Sequence, residues 1–121
     1  MPLWPDGVVG SMSHSGLTAV VAVARANAVK SLGIDLQELR PLRADISERI
    51  ALSSERAWIS AGGDEAELRA LMLFSAKESI FKALFPFVRR KFGFLAAELI
   101  WSPERSAFRA EIRENLSPDI R

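Results

Sequence analysis

The segment between the glycine pair Gly62-Gly63 and Pro86 constrains the fold most, because its pattern is that of one long helix. Its apolar residues recur at the spacing of a helix face, at Leu68, Leu71, Met72 and Leu73. Glycine commonly ends helices, and proline lacks the backbone donor that a helix interior needs. The segment therefore predicts a helix that begins at Asp64 and ends at Leu84 or Phe85.

A second helix is predicted before the glycine pair. Asp45 precedes Ile46 to Ile59, and its carboxylate can accept hydrogen bonds from the free amides of a first helical turn. Glu48 follows three residues later, which is the spacing of a capping box. We expect one helix from Ile46 to Ile59, capped by Asp45.

Short apolar runs on both sides of the helical region predict β-strands. Val8-Val9-Gly10 and Leu17–Ala24 are separated by Ser15-Gly16, which indicates a hairpin, and Ser31–Leu36 is a further short strand. Leu95–Trp101 and Ala107–Ile112 predict a second hairpin. This order of strands, helices and strands indicates an α+β fold in which antiparallel strands pack on helices, and not a doubly wound sheet.

Composition limits the chain to one domain and excludes few functions. The 121 residues, 49% of them hydrophobic, suffice for a single core. A net charge of +1 produces no overall electrostatic field that would indicate binding to nucleic acid or to a membrane surface. The absence of cysteine excludes disulfides and thiolate sites and suits the cytoplasm, which is the expected location. The longest apolar stretch, Leu17–Ala24, is far shorter than the roughly 20 residues of a membrane span.

Glu78 and Lys82 are four residues apart on the predicted long helix. Their side chains therefore share one face, whereas Lys77 points about 100° away. An exposed ion pair is the ordinary explanation of such spacing. The alternative is that this face carries an acid and a base for chemistry.

Asp35 follows Gly33-Ile34 near the end of the predicted strand. An aspartate there is usually a cap or a turn residue. If the long helix packs across that strand end, Asp35 and Glu78 form a pair of carboxylates. Mg²⁺ prefers oxygen ligands and commonly takes one or two carboxylates together with substrate phosphates and water.

His14 is the only histidine, so a multi-histidine metal site is excluded. It is flanked by three serines, Ser11, Ser13 and Ser15, beside Gly10. Small hydroxyls, amides and an imidazole can together bind phosphate. A structural role for the histidine is the alternative.

The three motifs, in this order, resemble those of the 4'-phosphopantetheinyl transferases of the enterobactin-synthase and surfactin-synthase type. The first is the segment from Pro5 to Ser15, the second is Gly33-Ile34-Asp35-Leu36, and the third is the segment from Phe74 to Lys82. The likeness extends from about Pro2 to about Trp101. It implies a 4'-phosphopantetheinyl transferase-like fold of two similar α+β halves that form a pseudo-dimer.

The resemblance also implies how the chain is divided. Residues 1–30 would be the end of the first half and a connection, with the phosphate-binding loop and hairpin. Residues 31–121 would be a near-complete second half, with the metal-binding strand and the catalytic helix. Together they would form a single globular unit, and both ends are expected to be truncated relative to the family.

The implied reaction moves the 4'-phosphopantetheine arm from coenzyme A to a serine of an acyl or peptidyl carrier protein. Asp35 and Glu78 would hold Mg²⁺. Surfactin-type relatives commonly have an acidic residue at position 37 as a further metal ligand. Gln37 would be a weak or water-mediated third contact, because its amide contributes no negative charge. Glu78, or a water that it orients, would take the serine proton, and Lys82 would stabilise the departing phosphate.

Besides Lys82, four residues are expected to contact the phosphates of coenzyme A, namely Ser11, Ser13, His14 and Lys77. Alternatively, Lys77 contacts the carrier protein. Siderophore, polyketide, non-ribosomal peptide and fatty-acid carrier proteins all fit the same chemistry. The competing hypothesis is a truncated, non-catalytic remnant that binds coenzyme A weakly or serves as an interaction module. Self-association is compatible with either.

Overall fold

The structure, a computed structural model, describes residues 4–88 and 93–112. A hairpin of β1 (Val8–Ser15) and β2 (Thr18–Arg25) is followed by α1 (Ala44–Ile50), α2 (Ser53–Ser60) and α3 (Ala66–Val88), and then by a hairpin of β3 (Ala97–Ser102) and β4 (Ala107–Ile112). The predicted α+β class is confirmed. None of the helices in the described part of the chain has the length and apolarity needed to cross a bilayer.

Both predicted hairpins are present. In the first, Val8 pairs with Arg25 and Ser15 with Thr18, and the turn contains Gly16 with a positive φ of 57°. A positive φ favours glycine, which explains why the chain can reverse there. Strand β1 is longer than expected and includes the whole serine–histidine run, so these residues follow the alternation of a strand.

The expected single helix from Ile46 to Ile59 is two helices, so that prediction is wrong. The chain is extended at Ala51 and Leu52 between α1 and α2. One tertiary and one local hydrogen bond replace the helical ones there. Lys77 Nζ donates to the Ile50 carbonyl at 2.6 Å, and the Leu52 amide, at the N-cap of α2, donates to Glu55 Oε1 at 2.7 Å. Helix α1 begins at Ala44, so Asp45 lies in its first turn and not at its N-cap.

The long helix is present but its ends differ from the prediction. A short 3-10 turn covers Gly63–Glu65, and α3 then begins at Ala66. The helix continues through Pro86 to Val88. Proline has a φ compatible with a helix and removes one backbone hydrogen bond, so it weakens a terminal turn without necessarily ending it.

The core lies between the helices and the second hairpin. Its buried residues are Ile50, Ala51, Leu73 and Leu99, with partly buried side chains such as Phe74 and Phe94 packed around them. Beside this core, Trp58, Trp101 and Phe108 form an aromatic cluster with ring centroids 5.0–5.9 Å apart. One side of α3 is therefore fixed by the core, which leaves its other side for the segment that follows the first hairpin.

Candidate functional site

Residues 31–38 have no regular secondary structure, so the prediction of a β-strand at Ser31–Leu36 is wrong. The segment instead lies against the side chains of β1. The Ile34 amide donates to Ser11 Oγ at 3.1 Å, and the Leu36 amide donates to Ser13 Oγ at 3.0 Å. Because alternate residues of β1 face one side, two serines spaced by two hold two amides spaced by two.

The same segment contacts α3 on its other side. Ser31 Oγ donates to the Ala83 carbonyl at 2.6 Å. A Cβ on Gly33 would lie 2.0 Å from the Ser79 carbonyl oxygen and 2.7 Å from the Ala83 nitrogen. Only glycine fits so close to a helix backbone, and this close approach brings the next residues against the middle of α3.

Asp35 is held at this contact by hydrogen bonds to one of its oxygens. Oδ2 accepts from Ser75 Oγ at 2.9 Å and from Gln37 Nε2 at 2.7 Å. Oδ1 lies 3.7 Å from Lys82 Nζ, and the Asp35 side chain is only 6% exposed. The carboxylate is thus fixed in orientation by two neutral donors and has a cation beside its second oxygen.

Lys82 reaches the same place from a position about two turns after Ser75 on α3. Its ammonium group donates to the Ile34 carbonyl at 2.9 Å and approaches the Met12 carbonyl at 3.4 Å. About a third of the side chain is exposed, at 32%. Lys82 therefore connects β1, the 31–38 segment and α3, while it remains accessible to a ligand.

Glu78 is half-buried and completes the group of charges. Burial raises the pKa of Glu78, the nearby Asp35 carboxylate raises it further, and Lys82 opposes both effects. Within the described residues its carboxylate has no hydrogen-bond or ion-pair partner. An under-compensated carboxylate beside a second one is suited to bind a cation or to accept a proton.

Three predicted site residues, Asp35, Glu78 and Lys82, are therefore brought together. Gln37 lies beside them, but its contact with Asp35 is a hydrogen bond that its amide nitrogen donates. Within the described residues no cluster of three or more histidine, cysteine, aspartate or glutamate side chains is suited to a metal ion. Among the described residues, the carboxylates that this place brings together are those of Asp35 and Glu78.

The predicted phosphate-binding residues are not brought together as one cluster. Ser11 and Ser13 face the 31–38 segment and are each 8% exposed, whereas His14 lies on the opposite, exposed face of β1. The separation follows from strand alternation, which the expected loop would have lacked. Phosphate binding by Ser11, Ser13 or His14 stays a prediction.

Lys77 lies away from the site, on the core side of α3. Its side chain is fully buried, and Nζ donates to Glu55 Oε1, the Ile50 carbonyl and the Phe94 carbonyl at 2.6–2.8 Å. In this structure Nζ therefore faces the protein interior, and a contact of Lys77 with a phosphate or with the carrier protein stays a prediction. Burial lowers the pKa of Lys77, and the hydrogen bond and charge of Glu55 oppose that shift.

Sequence reasoning missed two residues that shape this region. Ser75 lies within the third motif, but nothing in its spacing shows that it bonds to Asp35, forty residues away. Glu55 is 1% exposed, although a glutamate in an amphipathic helix is ordinarily exposed. Its burial depends on Lys77, a partner that is distant in sequence.

Comparison with known proteins gives the family of the chain. Residues 31–120 match the 4'-phosphopantetheinyl transferase superfamily. The 4'-phosphopantetheinyl transferase Svp of Streptomyces mobaraensis is 42% identical over 114 residues, which are 92% of this chain. PptT of Mycobacterium tuberculosis is 35% identical over 88% of the chain, and enterobactin synthase component D of Escherichia coli is 33% identical over 86%.

The chain therefore belongs to the 4'-phosphopantetheinyl transferase superfamily, as its motifs predicted. It spans about half the length of these curated relatives, namely 46% of Svp, 47% of PptT and 49% of the enterobactin protein. The motif residues Asp35, Glu78 and Lys82 all lie inside the matched region, and so does the segment that holds them.

Proposed function

We propose that this chain carries the catalytic part of a 4'-phosphopantetheinyl transferase that modifies a serine of an acyl or peptidyl carrier protein, with coenzyme A as donor and Mg²⁺ as cofactor. The observation that supports this most is the convergence of Asp35, Glu78 and Lys82 between the 31–38 segment and α3. A cytoplasmic location, and association of the chain with itself, are parts of the same proposal.

The donor set fits magnesium. Asp35 and Glu78 would hold the ion, and Gln37 is close enough to Asp35 to orient that carboxylate. One or two carboxylates are the usual protein contribution to a Mg²⁺ site that also takes phosphate oxygens and water, so this pair would suit the ion. When bound, the ion would neutralise charge on the pyrophosphate of coenzyme A.

The residues of the chain would then serve the transfer as follows. The serine oxygen of the carrier protein forms a bond to the phosphorus that bears the pantetheine arm. The bond from that phosphorus to the bridging pyrophosphate oxygen breaks, and adenosine 3',5'-bisphosphate leaves with the bonding electrons. Glu78, or a water that it orients, takes the serine proton, and the Lys82 ammonium faces the departing phosphate.

The raised pKa of Glu78 supports the role of base. Burial makes its carboxylate more basic than that of an exposed glutamate, and the adjacent Asp35 adds to this. Lys82 is the cation of the group and is partly exposed, and its ammonium group already lies among oxygen atoms. An anionic ligand would therefore meet one positive charge next to two carboxylates that need a cation.

The competing function is that of a non-catalytic module that binds coenzyme A weakly. It predicts magnesium-dependent binding of coenzyme A without any transfer to a carrier protein.

One assay separates these functions. The purified chain is incubated with coenzyme A, MgCl₂ and an apo carrier protein, and the carrier protein is weighed by mass spectrometry. A gain of one phosphopantetheine group is expected, and a carrier protein whose acceptor serine is replaced by alanine is the control. Calorimetric binding of coenzyme A without a mass gain would support the module, and absence of both would contradict either function.

A further inference from the structure

We propose that the buried pair of Glu55 and Lys77 is a positioning element that sets the rotation of α3, so that Glu78 and Lys82 face Asp35. The hydrogen bonds and ion pair that the side chains of Glu55 and Lys77 form among the described residues do not involve Asp35, Glu78 or Lys82, so the pair would act only through the helix. Their effect on catalysis rests on the proposed function, whereas their effect on geometry does not.

The pair joins four parts of the fold at one point. Lys77 Nζ donates to Glu55 Oε1 at 2.8 Å, to the Ile50 carbonyl at 2.6 Å and to the Phe94 carbonyl at 2.8 Å. Both side chains are inaccessible to solvent. The ammonium group thus has three directional contacts, to the end of α1, to α2 and to the turn before β3.

The Glu55 carboxylate, like the Lys77 ammonium group, has several hydrogen-bond partners. Besides Lys77, Oε1 accepts from the Leu52 amide at 2.7 Å, and Oε2 accepts from the Leu99 amide at 2.7 Å. The carboxylate therefore cannot move without breaking contacts to α2 and to β3. It is a fixed anchor, and Lys77 attaches α3 to it.

The position of Lys77 on α3 links this anchor to the site. Lys77 immediately precedes Glu78, and at about 100° per residue it lies about 140° around the helix from Lys82. A rotation of α3 that moved Lys77 from its three acceptors would turn Glu78 and Lys82 away from Asp35 by the same angle. Ser75, which bonds to Asp35, would turn with them.

An apolar pair would fill the same space but would not fix the helix in the same way. Apolar contacts tolerate small rotations, whereas three hydrogen bonds from one ammonium group are lost together. Burying two charges is unfavourable unless both are fully bound, so the pair brings specificity more than stability. In this chain that specificity would fix the positions of Glu78 and Lys82 on α3 relative to Asp35.

The test compares Lys77→Met with the double variant Glu55→Gln/Lys77→Met. The single variant leaves a buried carboxylate without its cation, so its melting temperature should fall strongly. The double variant removes both charges and should recover a large part of that loss. It still lacks the three bonds of Lys77, so its magnesium-dependent affinity for coenzyme A should remain about 10–100-fold weaker than that of the unmodified chain.

A merely structural role predicts a different result, because affinity would then recover together with melting temperature. Glu67→Gln is the matched control, since it changes an exposed carboxylate of the same helix. It should alter neither quantity.

A crystal structure of the double variant tests the geometry even if the chain does not bind coenzyme A. We expect the contacts of Ser75 with Asp35 and of Lys82 with the Ile34 carbonyl to be lost, because α3 has turned. Their survival in a folded double variant would overturn the positioning role. If the double variant does not fold, Glu55→Asp is used instead, because it keeps both charges and shortens the carboxylate side chain. Survival of the same two contacts in its structure would also overturn the positioning role.

Discussion

The two oxygens of the Asp35 carboxylate have different neighbours. Oδ2 is occupied by hydrogen bonds from Ser75 and Gln37, while Oδ1 faces the Lys82 ammonium group. A substitution of Gln37 therefore affects Asp35 as well as any metal ion. An acidic side chain at position 37 would place two carboxylates where one carboxylate and one amide now bond.

Gln37→Glu should therefore make the chain more dependent on magnesium. Without the ion, repulsion between residues 35 and 37 should lower the melting temperature, since a donor to Asp35 is replaced by a negative charge. With the ion, the added carboxylate should strengthen magnesium-dependent binding of coenzyme A. Melting curves and calorimetry, each with and without MgCl₂, measure both effects.

Two alanine variants serve as controls for that experiment. Asp35→Ala removes a charged ligand and should reduce magnesium-dependent binding and any transfer by orders of magnitude, whereas Gln37→Ala should reduce them far less. Equal losses in the two alanine variants, or a magnesium dependence that neither Asp35→Ala nor Gln37→Glu changes, would show that the two-carboxylate site is wrong.

Glu78→Gln should stabilise the chain near neutral pH in the absence of metal. Burial, and then Asp35, raise the pKa of Glu78 above its ordinary value of 4.5, so the folded state holds this proton more tightly than the unfolded chain. The ionised carboxylate therefore destabilises the fold above its folded-state pKa. This penalty declines as the pH falls through that pKa towards 4.5.

Urea unfolding at several pH values measures this effect. The midpoint of Glu78→Gln should exceed that of the unmodified chain near pH 7, and the difference should shrink as the pH approaches 4.5. Glu67→Gln, at an exposed position of α3, should show no such pH-dependent difference. A Glu78→Gln variant that is less stable near pH 7 would contradict the assignment of an under-compensated carboxylate.

At the scale of elements, the sequence predicted what local patterns determine. The hydrophobic spacing of α3 and the turn residues of both hairpins were sufficient to find these elements, and helical spacing correctly put Glu78 and Lys82 on one face. The break between α1 and α2 was missed in part because one of its causes is tertiary: Lys77 binds the Ile50 carbonyl, 27 residues away in sequence. The other cause is local, since Glu55 accepts from the Leu52 amide at the start of α2.

The 31–38 segment was mistaken for a strand for a similar reason. Its apolar residues suit a strand, but its amides bond to serine hydroxyls of β1 that lie 23 residues away in sequence. The motif correctly indicated that Asp35 approaches Glu78. It could not show that Ser11 and Ser13 hold the segment or that His14 faces the other way, since both depend on where β1 begins and ends.

Gly33→Ala tests the contact between this segment and α3. The added methyl group would lie 2.0 Å from the Ser79 carbonyl oxygen, so the segment must move away from the helix and carry Asp35 with it. We expect a loss of about 1–3 kcal/mol in the free energy of unfolding, as for other overpacked sites. Urea denaturation provides the measurement.

Gly93→Ala is the matched control for that substitution. Gly93 has a φ of −80°, which any residue adopts, and the nearest atom to a new Cβ would be 4.0 Å away. Its stability should change by only a few tenths of a kcal/mol. Similar losses in the two variants would mean that the close approach of Gly33 to α3 does not hold Asp35 in place.

At the scale of the whole molecule, the outer face of the first hairpin is apolar and exposed. Met12, Val21 and Val23 are 46%, 57% and 61% exposed, and Met12 pairs directly with Val21. We expect the chain to associate as its concentration rises, because contiguous exposed apolar surface favours burial against another surface. Light scattering over a range of concentrations measures this.

Val21→Thr/Val23→Thr is the informative variant, since threonine retains a high strand propensity while it makes the face polar. The variant should associate less than the unmodified chain at the same concentration and keep a similar melting temperature. A strictly monomeric unmodified chain at high concentration would contradict this prediction.

The serine contacts between β1 and the 31–38 segment have a consequence for hydrogen–deuterium exchange. Ser11 and Ser13 accept from the amides of Ile34 and Leu36, so those two amides should exchange slowly. In Ser13→Ala the amide of Leu36 should become fast while that of Ile34 stays slow, and equal acceleration of both would contradict this pairing. A segment without regular secondary structure would then show the two-residue period of a strand, because the side chains of its neighbour supply the acceptors.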